Sequence, residues 1–313
     1  MIDNMCRICG NGKENKSVTL KGSFYGTKGE FEYFICDKCG CLQIADVPDN
    51  LSDYYNNESY YSFNMDKRSL KNKLLFAQMK NQIDKRNLLG KLVEVLYPVD
   101  YSYYNYASRE KWILDVGCGQ GEMLCWLSEI GYKHLEGVDP FLDKDISYDN
   151  GVVVHKAEVT GFKPEHRYGL ITFVHAIEHI FDEKDVLQEA VSWLEDDGKI
   201  AVVFPQFSKY YWEKYGPNLH TLDPPRHFFI HSYDSIVSLF EECGMKLTYF
   251  DTRFCPSIPW MARNNRKNQS EKNDGAHFVL DGLTALFSIS LRLKLRKDKD
   301  GAIAVAVFEK IHQ

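Results

Sequence analysis

The sequence predicts an α/β fold: a mostly parallel sheet with helices on both faces, preceded by a small cysteine-clamped ribbon. Three observations carry this. At residues 113–124, ILDVGCGQGEML, a short apolar run meets a glycine-rich turn and then an amphipathic stretch, and a second apolar run ends in Asp139. From residue 152 to residue 310 further short apolar runs alternate with longer helical patterns, as repeated strand–helix units do. Two Cys-x-x-Cys pairs, Cys6/Cys9 and Cys36/Cys39, bracket the N-terminal segment.

Composition sets the outer bounds. A chain of 313 residues has room for one large domain with an appendage, or for two domains. A net charge of −6 and a pI near 5.9 argue against an extended nucleic-acid footprint. The N-terminus, MIDNMCRICG, has no secretory apolar core, and no apolar run reaches membrane-spanning length. Nine cysteines then point to a reducing cytoplasm, where clustered thiols bind metal or pack.

In chain order, the ribbon comes first, at residues 1–50. Each Cys-x-x-Cys is followed by glycine, and such a turn aims two thiols at one point. Cys6, Cys9, Cys36 and Cys39 read as the closed tetrahedral set of a structural zinc, ahead of a redox pair or unrelated thiols, with strands expected at 17–20 and 31–35. Cys41 is a spare donor beside Cys39. Metal binding supplies folding energy that so small a unit cannot draw from its own core. A closed site leaves no position for catalysis.

Residues 51–108 read as a tyrosine-rich segment followed by covering helices. Tyr54, Tyr55, Tyr60 and Tyr61 lie in a polar stretch without periodicity, either a linker packed on its neighbour or a lid offering aromatic faces to a polar substrate. Between 66 and 97, Leu70, Leu74, Leu75, Met79, Ile83, Leu88, Leu89, Leu92 and Leu96 fall largely on one helical side, so a helix or helix pair should cover the sheet. The tyrosines of 101–106, YSYYNY, read as a loop, on the surface or at the substrate.

The main domain, 109–313, opens with a strand at 112–116 carrying Asp115. Gly117, Gly119 and Gly121 follow at alternate positions, as a sharp strand-to-helix turn with positive φ requires. A helix at 122–130 places Met123, Leu124, Leu127 and Ile130 on one face. The next strand, 135–138, ends in Asp139, about 20 residues on, where a nucleoside's ribose hydroxyls are held. The spacing G-x-G-x-G, with Glu122 opening the helix, suits a cofactor with a cationic centre better than the phosphates of a dinucleotide. A nicotinamide-type domain or an inactive relative is the competing reading.

Later strands are expected at 152–154, 168–174, 198–204, 246–254 and 302–310, with insertions at about 205–232 and 255–300. The fourth strand ends at His175-Ala-Ile-Glu178-His179, at the sheet's carboxyl edge where ligands sit. Pro224-Pro225-Arg226-His227 lies in the first insertion, ahead of Ser232, an N-cap for a helix at 233–243. The second carries a polar stretch, 262–275, and an apolar–basic helix at 276–297. That helix packs on the domain or on a second copy; interfacial membrane contact is the less favoured alternative.

DVGCGQG with Asp139 resembles the class I S-adenosylmethionine (SAM)-dependent methyltransferases, and the ribbon and Tyr-Tyr stretch resemble the sugar- and glycan-modifying type. The resemblance implies a Rossmann-like seven-stranded sheet with the last strand antiparallel. It implies SAM contacts from Asp115, Gly117, Cys118, Gly119, Gly121, Asp139, Pro140, Ala157, Glu158 and His175, with Glu158 at the adenine amine. It places Glu178, His179 and His227 at the acceptor; the histidines serve there as general base, or they bond backbone and order the loops. The acceptor implied is a small polar molecule, such as a sugar, nucleotide-sugar or glycan precursor. An RNA methyltransferase with a zinc site and a non-catalytic SAM-binding scaffold are the alternatives.

Overall fold

The computed structural model describes residues 5–22, 27–54, 69–85, 87–255, 257–258, 261–262 and 289–311. The expectations for Tyr55, Tyr60, Tyr61 and residues 263–288 fall outside them.

The N-terminal unit is a meander of β1 (Lys16–Lys21), β2 (Glu30–Ile35) and β3 (Leu42–Ile44), antiparallel throughout. The covering element is a helix pair, α1 (Leu70–Asp84) and α2 (Leu88–Leu96). Ser69 caps α1 by accepting from Asn72 N at 3.1 Å, and Asn87 caps α2 by accepting from Gly90 N at 2.9 Å. A Cβ on Gly90 would lie 2.0 Å from the Ala77 carbonyl oxygen, so the helices touch through a bare glycine. That contact selects the Gly90/Val93 face of α2 for burial. It leaves Leu88, Leu89 and Leu92 exposed, and Leu70 of α1 with them, against the single apolar side that the periodicity implied.

The main sheet takes β4 (Trp112–Val116), β5 (His134–Val138), β6 (Ile146–Ser147), β7 (Val153–His155), β8 (Tyr168–Val174) and β9 (Leu194–Pro205). After a two-residue strand β10 (Phe229–Ile230), it is completed by β11 (Met245–Arg253) and β12 (Ile303–Lys310). The spatial order is β11-β12-β9-β8-β4-β5-β7-β6. β7, β5, β4, β8 and β9 pair in parallel, while β12 runs antiparallel between β9 and β11. The sheet thus has eight strands, not seven. The extra one, β6, pairs antiparallel to the edge strand β7 and is two residues long, too short to carry a period.

Alternation along the strands builds two cores. Ile113, Leu170, Ala201 and Val305 face a layer holding Met79 of α1 and Leu124, Leu127 and Ile130 of α3 (Glu122–Ile130). Leu114, Ile171, Val202 and Ala306 face the other layer, with Leu187 and Ala190 of α4 (Glu183–Trp193) and Leu239 and Phe240 of α6 (Tyr233–Glu242). Ser232 and Ser235 form a reciprocal capping box at α6. The first insertion is ordered, with α5 (Lys209–Tyr215) and short turns before β10. Of the second, α7 (Ile289–Lys297) is described, with Leu295 buried. Tyr101, Tyr103 and Tyr104 are buried rather than on the surface or at substrate, and the Tyr104 carbonyl accepts from Tyr132 Oη at 2.9 Å. Tyrosine's large ring carries enough apolar surface to fill a core, and sequence alone does not reveal when it does.

The ribbon is welded to the main domain. β10 pairs antiparallel with β3, so the insertion supplies the fourth strand of the ribbon sheet. Tyr33 and Leu42 share the buried core of α4 and α6. Among the described residues no helix is long and apolar enough to cross a membrane.

Candidate active site

β4 is buried from Ile113 onward and ends at the glycine turn. Asp115 Oδ1 accepts from Thr172 Oγ1 of β8 at 2.6 Å. Burial pushes the Asp115 carboxyl up to about 7; the Asp139 charge adds to this and the Thr172 bond opposes it. Gly117, Gly119 and Gly121 all have positive φ, at 72°, 55° and 78°. A Cβ on Gly117 would stand 2.6 Å from Ala176 Cβ, and one on Gly121 2.8 Å from Val154 Cγ2, so neither position has room for a side chain. Asp139 Oδ2 accepts from Gly119 N at 2.8 Å and Oδ1 from Phe141 N at 2.9 Å. The acid of β5 is thereby fastened to the turn that follows β4.

A cavity of about 340 Å³ opens here, lined by Gly117, Asp139, Pro140, Phe141, Glu158, His175, His179 and Phe181 among others. Its volume falls in the range of small-molecule sites. His175 enters the wall with a positive φ of 53°, a strained conformation for a non-glycine residue.

The His-x-x-Glu-His segment bends away from β8 in a short turn, Ile177–His179. Glu178 is buried, 1% exposed, and neither carboxylate oxygen has a hydrogen-bond partner; His175 Nδ1 approaches Oε1 to 3.5 Å. Burial works to raise its pKa, but the imidazoles of His175, His179 and His227 outweigh it and hold the carboxyl down at about 2. His179 Nδ1 lies 3.0 Å from the Arg226 carbonyl and His227 Nδ1 2.9 Å from the Thr221 carbonyl. A carbonyl can only accept, so each ring carries a proton on Nδ1. The rings meet edge to face, centroids 4.6 Å apart. Burial, with His227 nearby, lowers the His179 pKa to about 4, leaving it neutral at pH 7.

The Pro-Pro-Arg-His segment is anchored from two sides. Arg226 is fully buried and grips Asp223 through two bonds, Nε to Oδ2 at 2.9 Å and Nη2 to Oδ1 at 2.5 Å. From the ribbon, Tyr33 Oη donates to the His227 carbonyl at 2.7 Å.

In the ribbon, Cys6, Cys9, Cys36 and Cys39 bring one sulfur each within 4.8 Å of all the others. Cys6 and Cys39 sulfurs are 3.6 Å apart, as are those of Cys9 and Cys36. That is far beyond a disulfide (~2.05 Å) and close to the ~3.8 Å edge of a tetrahedron with ~2.3 Å metal–sulfur bonds. The two knuckles match: Gly10 N donates to the Cys6 carbonyl and Gly40 N to the Cys36 carbonyl, both at 2.9 Å. Gln43 Nε2 donates to Cys6 Sγ at 3.1 Å. Cys41 is buried and lies outside the group, with its thiol toward the Leu42 carbonyl. The donor set fits a closed tetrahedral metal.

A family profile described as a methyltransferase domain matches residues 92–249, about half of the chain. The chain belongs to this family of SAM-dependent methyltransferases. The match runs from α2 into β11 and includes the glycine turn, Asp139 and both histidines, while the ribbon lies outside it. No curated protein matches the sequence significantly. Among solved structures, the methyltransferase is similar to a SAM-dependent methyltransferase from Mesorhizobium loti, at 13% identity over 66% of this chain and 95% of that one, with a TM-score of 0.42. A second is 1,6-didemethyltoxoflavin-N1-methyltransferase from Burkholderia thailandensis, at 12% identity, 89% and 98% coverage and a TM-score of 0.46. A third is the CcbJ methyltransferase from Streptomyces caelestis, at 11% identity, 76% and 90% coverage and a TM-score of 0.39.

The methyltransferase places Gly117, Asp139, Pro140, Glu158, His175 and His179 on one cavity. Asp115 stands behind it, covered by Thr172. Cys118 turns its sulfur toward Gly137, where a Cβ would lie 2.4 Å from it, and Ala157 packs against the core. Sequence reasoning missed Thr172, Tyr33, and the two phenylalanines of the wall, Phe141 and Phe181. Each phenylalanine follows a strand's carboxyl end by a few residues, and that position was the available signal.

Proposed function

We propose that this methyltransferase moves the methyl group of SAM onto a small polar acceptor, a sugar, nucleotide-sugar or glycan precursor, in the cytoplasm. One observation carries the reading: the acid of the nucleoside cradle, Asp139, and the histidine of the acceptor cluster, His179, line the same cavity. The residues present suit SAM, since Asp139, held by two backbone donors, lines the cavity beside Gly117 as an acid for ribose hydroxyls should. SAM supplies a methyl group already activated by its sulfonium, so alignment is the main task left to the protein.

In this reading Asp139 holds the ribose hydroxyls and Glu158 the adenine amine. The turn from Gly117 through Cys118 and Gly119 to Gly121, with Pro140 and Ala157, shapes the nucleoside pocket. Asp115 and His175 flank the charged end of the cofactor. Glu178, His179 or His227 stands by the acceptor and promotes the loss of its proton. Cys6, Cys9, Cys36 and Cys39 hold a structural zinc, and residues 1–50 and 51–108 serve as ribbon and cover for the domain at 109–313. The net charge of −6 gives no support to an RNA substrate.

Calorimetry of the zinc-loaded protein with SAM tests the cradle, and the absence of measurable heat would reject it. Incubation with isotopically labelled SAM and a panel of nucleotide sugars, read by mass spectrometry, tests the acceptor class. Methyl incorporation into none of them, alongside SAM binding, would move the assignment to another acceptor or to the scaffold reading.

A further inference from the structure

Glu178 presents an unusual electrostatic problem. Both of its oxygens are buried and neither has a hydrogen-bond partner. The ring of His175, 47% exposed, stands 3.5 Å away, and one nitrogen each of His179 and His227 lies within 4.8 Å. Burying a carboxylate without a hydrogen bond is costly, and proteins that do so supply a partner or bind a cation there.

The neighbours supply the rest of such a site. One nitrogen of His179, one nitrogen of His227 and one oxygen of Glu178 lie within 4.8 Å of one another. Each imidazole has its Nδ1 at a backbone carbonyl, that of Arg226 or Thr221, which orients the ring. This is how proteins hold imidazoles that ligate metals. The supports are stiff: the Arg226–Asp223 pair is buried, and Tyr33 fixes the His227 carbonyl.

We propose that Glu178, His179 and His227 bind one divalent transition-metal cation. Two imidazoles and a carboxylate make a borderline, three-ligand site with coordination positions left over. It contrasts with the four thiols of the ribbon, which are soft and closed. His179 lies in the cavity wall, so the remaining positions are reached from the side where a methyl acceptor enters. The ligand class that follows is an acceptor presenting a hydroxyl, or oxygens on adjacent carbons, whose proton a cation makes easier to lose. This rests on the cluster being the acceptor end of a SAM site.

The test uses zinc-loaded full-length protein and Mn²⁺ alone, followed by electron paramagnetic resonance of the free ion. Mn²⁺ favours oxygen and nitrogen donors and leaves the thiolate site to zinc. One Mn²⁺ per chain should bind, and Glu178→Gln and His227→Gln should each weaken it by at least ~10-fold with zinc content unchanged. In the unsubstituted protein, Mn²⁺ should selectively broaden the imidazole proton resonances of His179 and His227, a readout independent of any variant's folding. No Mn²⁺ bound at millimolar concentration, binding within twofold in both variants, or unselective broadening would each overturn the proposal. SAM affinity is measured separately by calorimetry, so its absence would reject the methyl-transfer reading without being confused with a failure to bind metal.

Discussion

In the proposed site, the nucleoside and acceptor ends are built in opposite ways. The nucleoside end is local: Asp115, the three glycines and Asp139 come from one strand–turn–helix–strand unit, and backbone groups do most of the holding. The acceptor end is assembled from afar. His179 and His227 stand on different segments, Arg226 and Thr221 orient their rings, and Tyr33 of the ribbon secures the second segment. A local cradle depends on its own sequence, whereas an assembled one inherits every weakness of its supports. The two ends should therefore fail separately.

The largest expected effect is at the local end. Asp139→Ala removes a carboxylate that holds the turn and is assigned to the ribose, and charge-assisted hydrogen bonds contribute about 1.5–3 kcal/mol each. SAM affinity should fall by ~10²–10³-fold in calorimetry while the ribbon keeps its metal. Stripping the metal from the four thiols should do the reverse. Turnover should drop by ~10²-fold, the effect of about 1 Å of misplacement, with SAM affinity within about threefold; hydrogen exchange should rise at β10. Equal losses of SAM affinity in both experiments would erase the distinction.

The pH dependence sharpens it further. Asp115, held near 7 by burial, keeps its proton in the folded state at pH values where the unfolded chain has released it. Its stabilising contribution is thus complete below about 4 and is lost as pH rises to about 7. A cationic cofactor favours the ionised carboxylate, so SAM affinity should rise by up to about tenfold from pH 6 to pH 8. Asp115→Asn should flatten that profile. The smallest effect belongs to Tyr33→Phe, which deletes one buried hydrogen bond of about 1 kcal/mol. It should lower kcat by roughly fivefold and leave the SAM dissociation constant unchanged; a shift in SAM affinity instead would show that the ribbon braces the cradle too.

Legibility followed the same divide. The turn at Gly117–Gly121 could be read because positive φ restricts the residue type, and β4, α3 and β8 fall at the residues their periodicity assigned. The knuckles could be read because thiol spacing is itself geometry. The meeting of His179 and His227 came only through family resemblance, since no period links segments so far apart. The docking of β10 on β3 was invisible: two residues carry no alternation, and the partner strand lies far back in the chain. The exposed leucines of α2 teach the complementary lesson, that a helical stripe names a face without naming what covers it.

The bond from Tyr33 to the His227 carbonyl spans 194 positions of the chain. During synthesis the cysteine knuckles emerge early, yet the last strand of their sheet and the histidine they help to seat arrive only after all five parallel strands have been made. The N-terminal unit must wait, half paired, for a piece of the domain it will stabilise. A premature stop within the first insertion would therefore leave the cysteine-clustered ribbon with an open edge, exposed to any extended chain that reaches it.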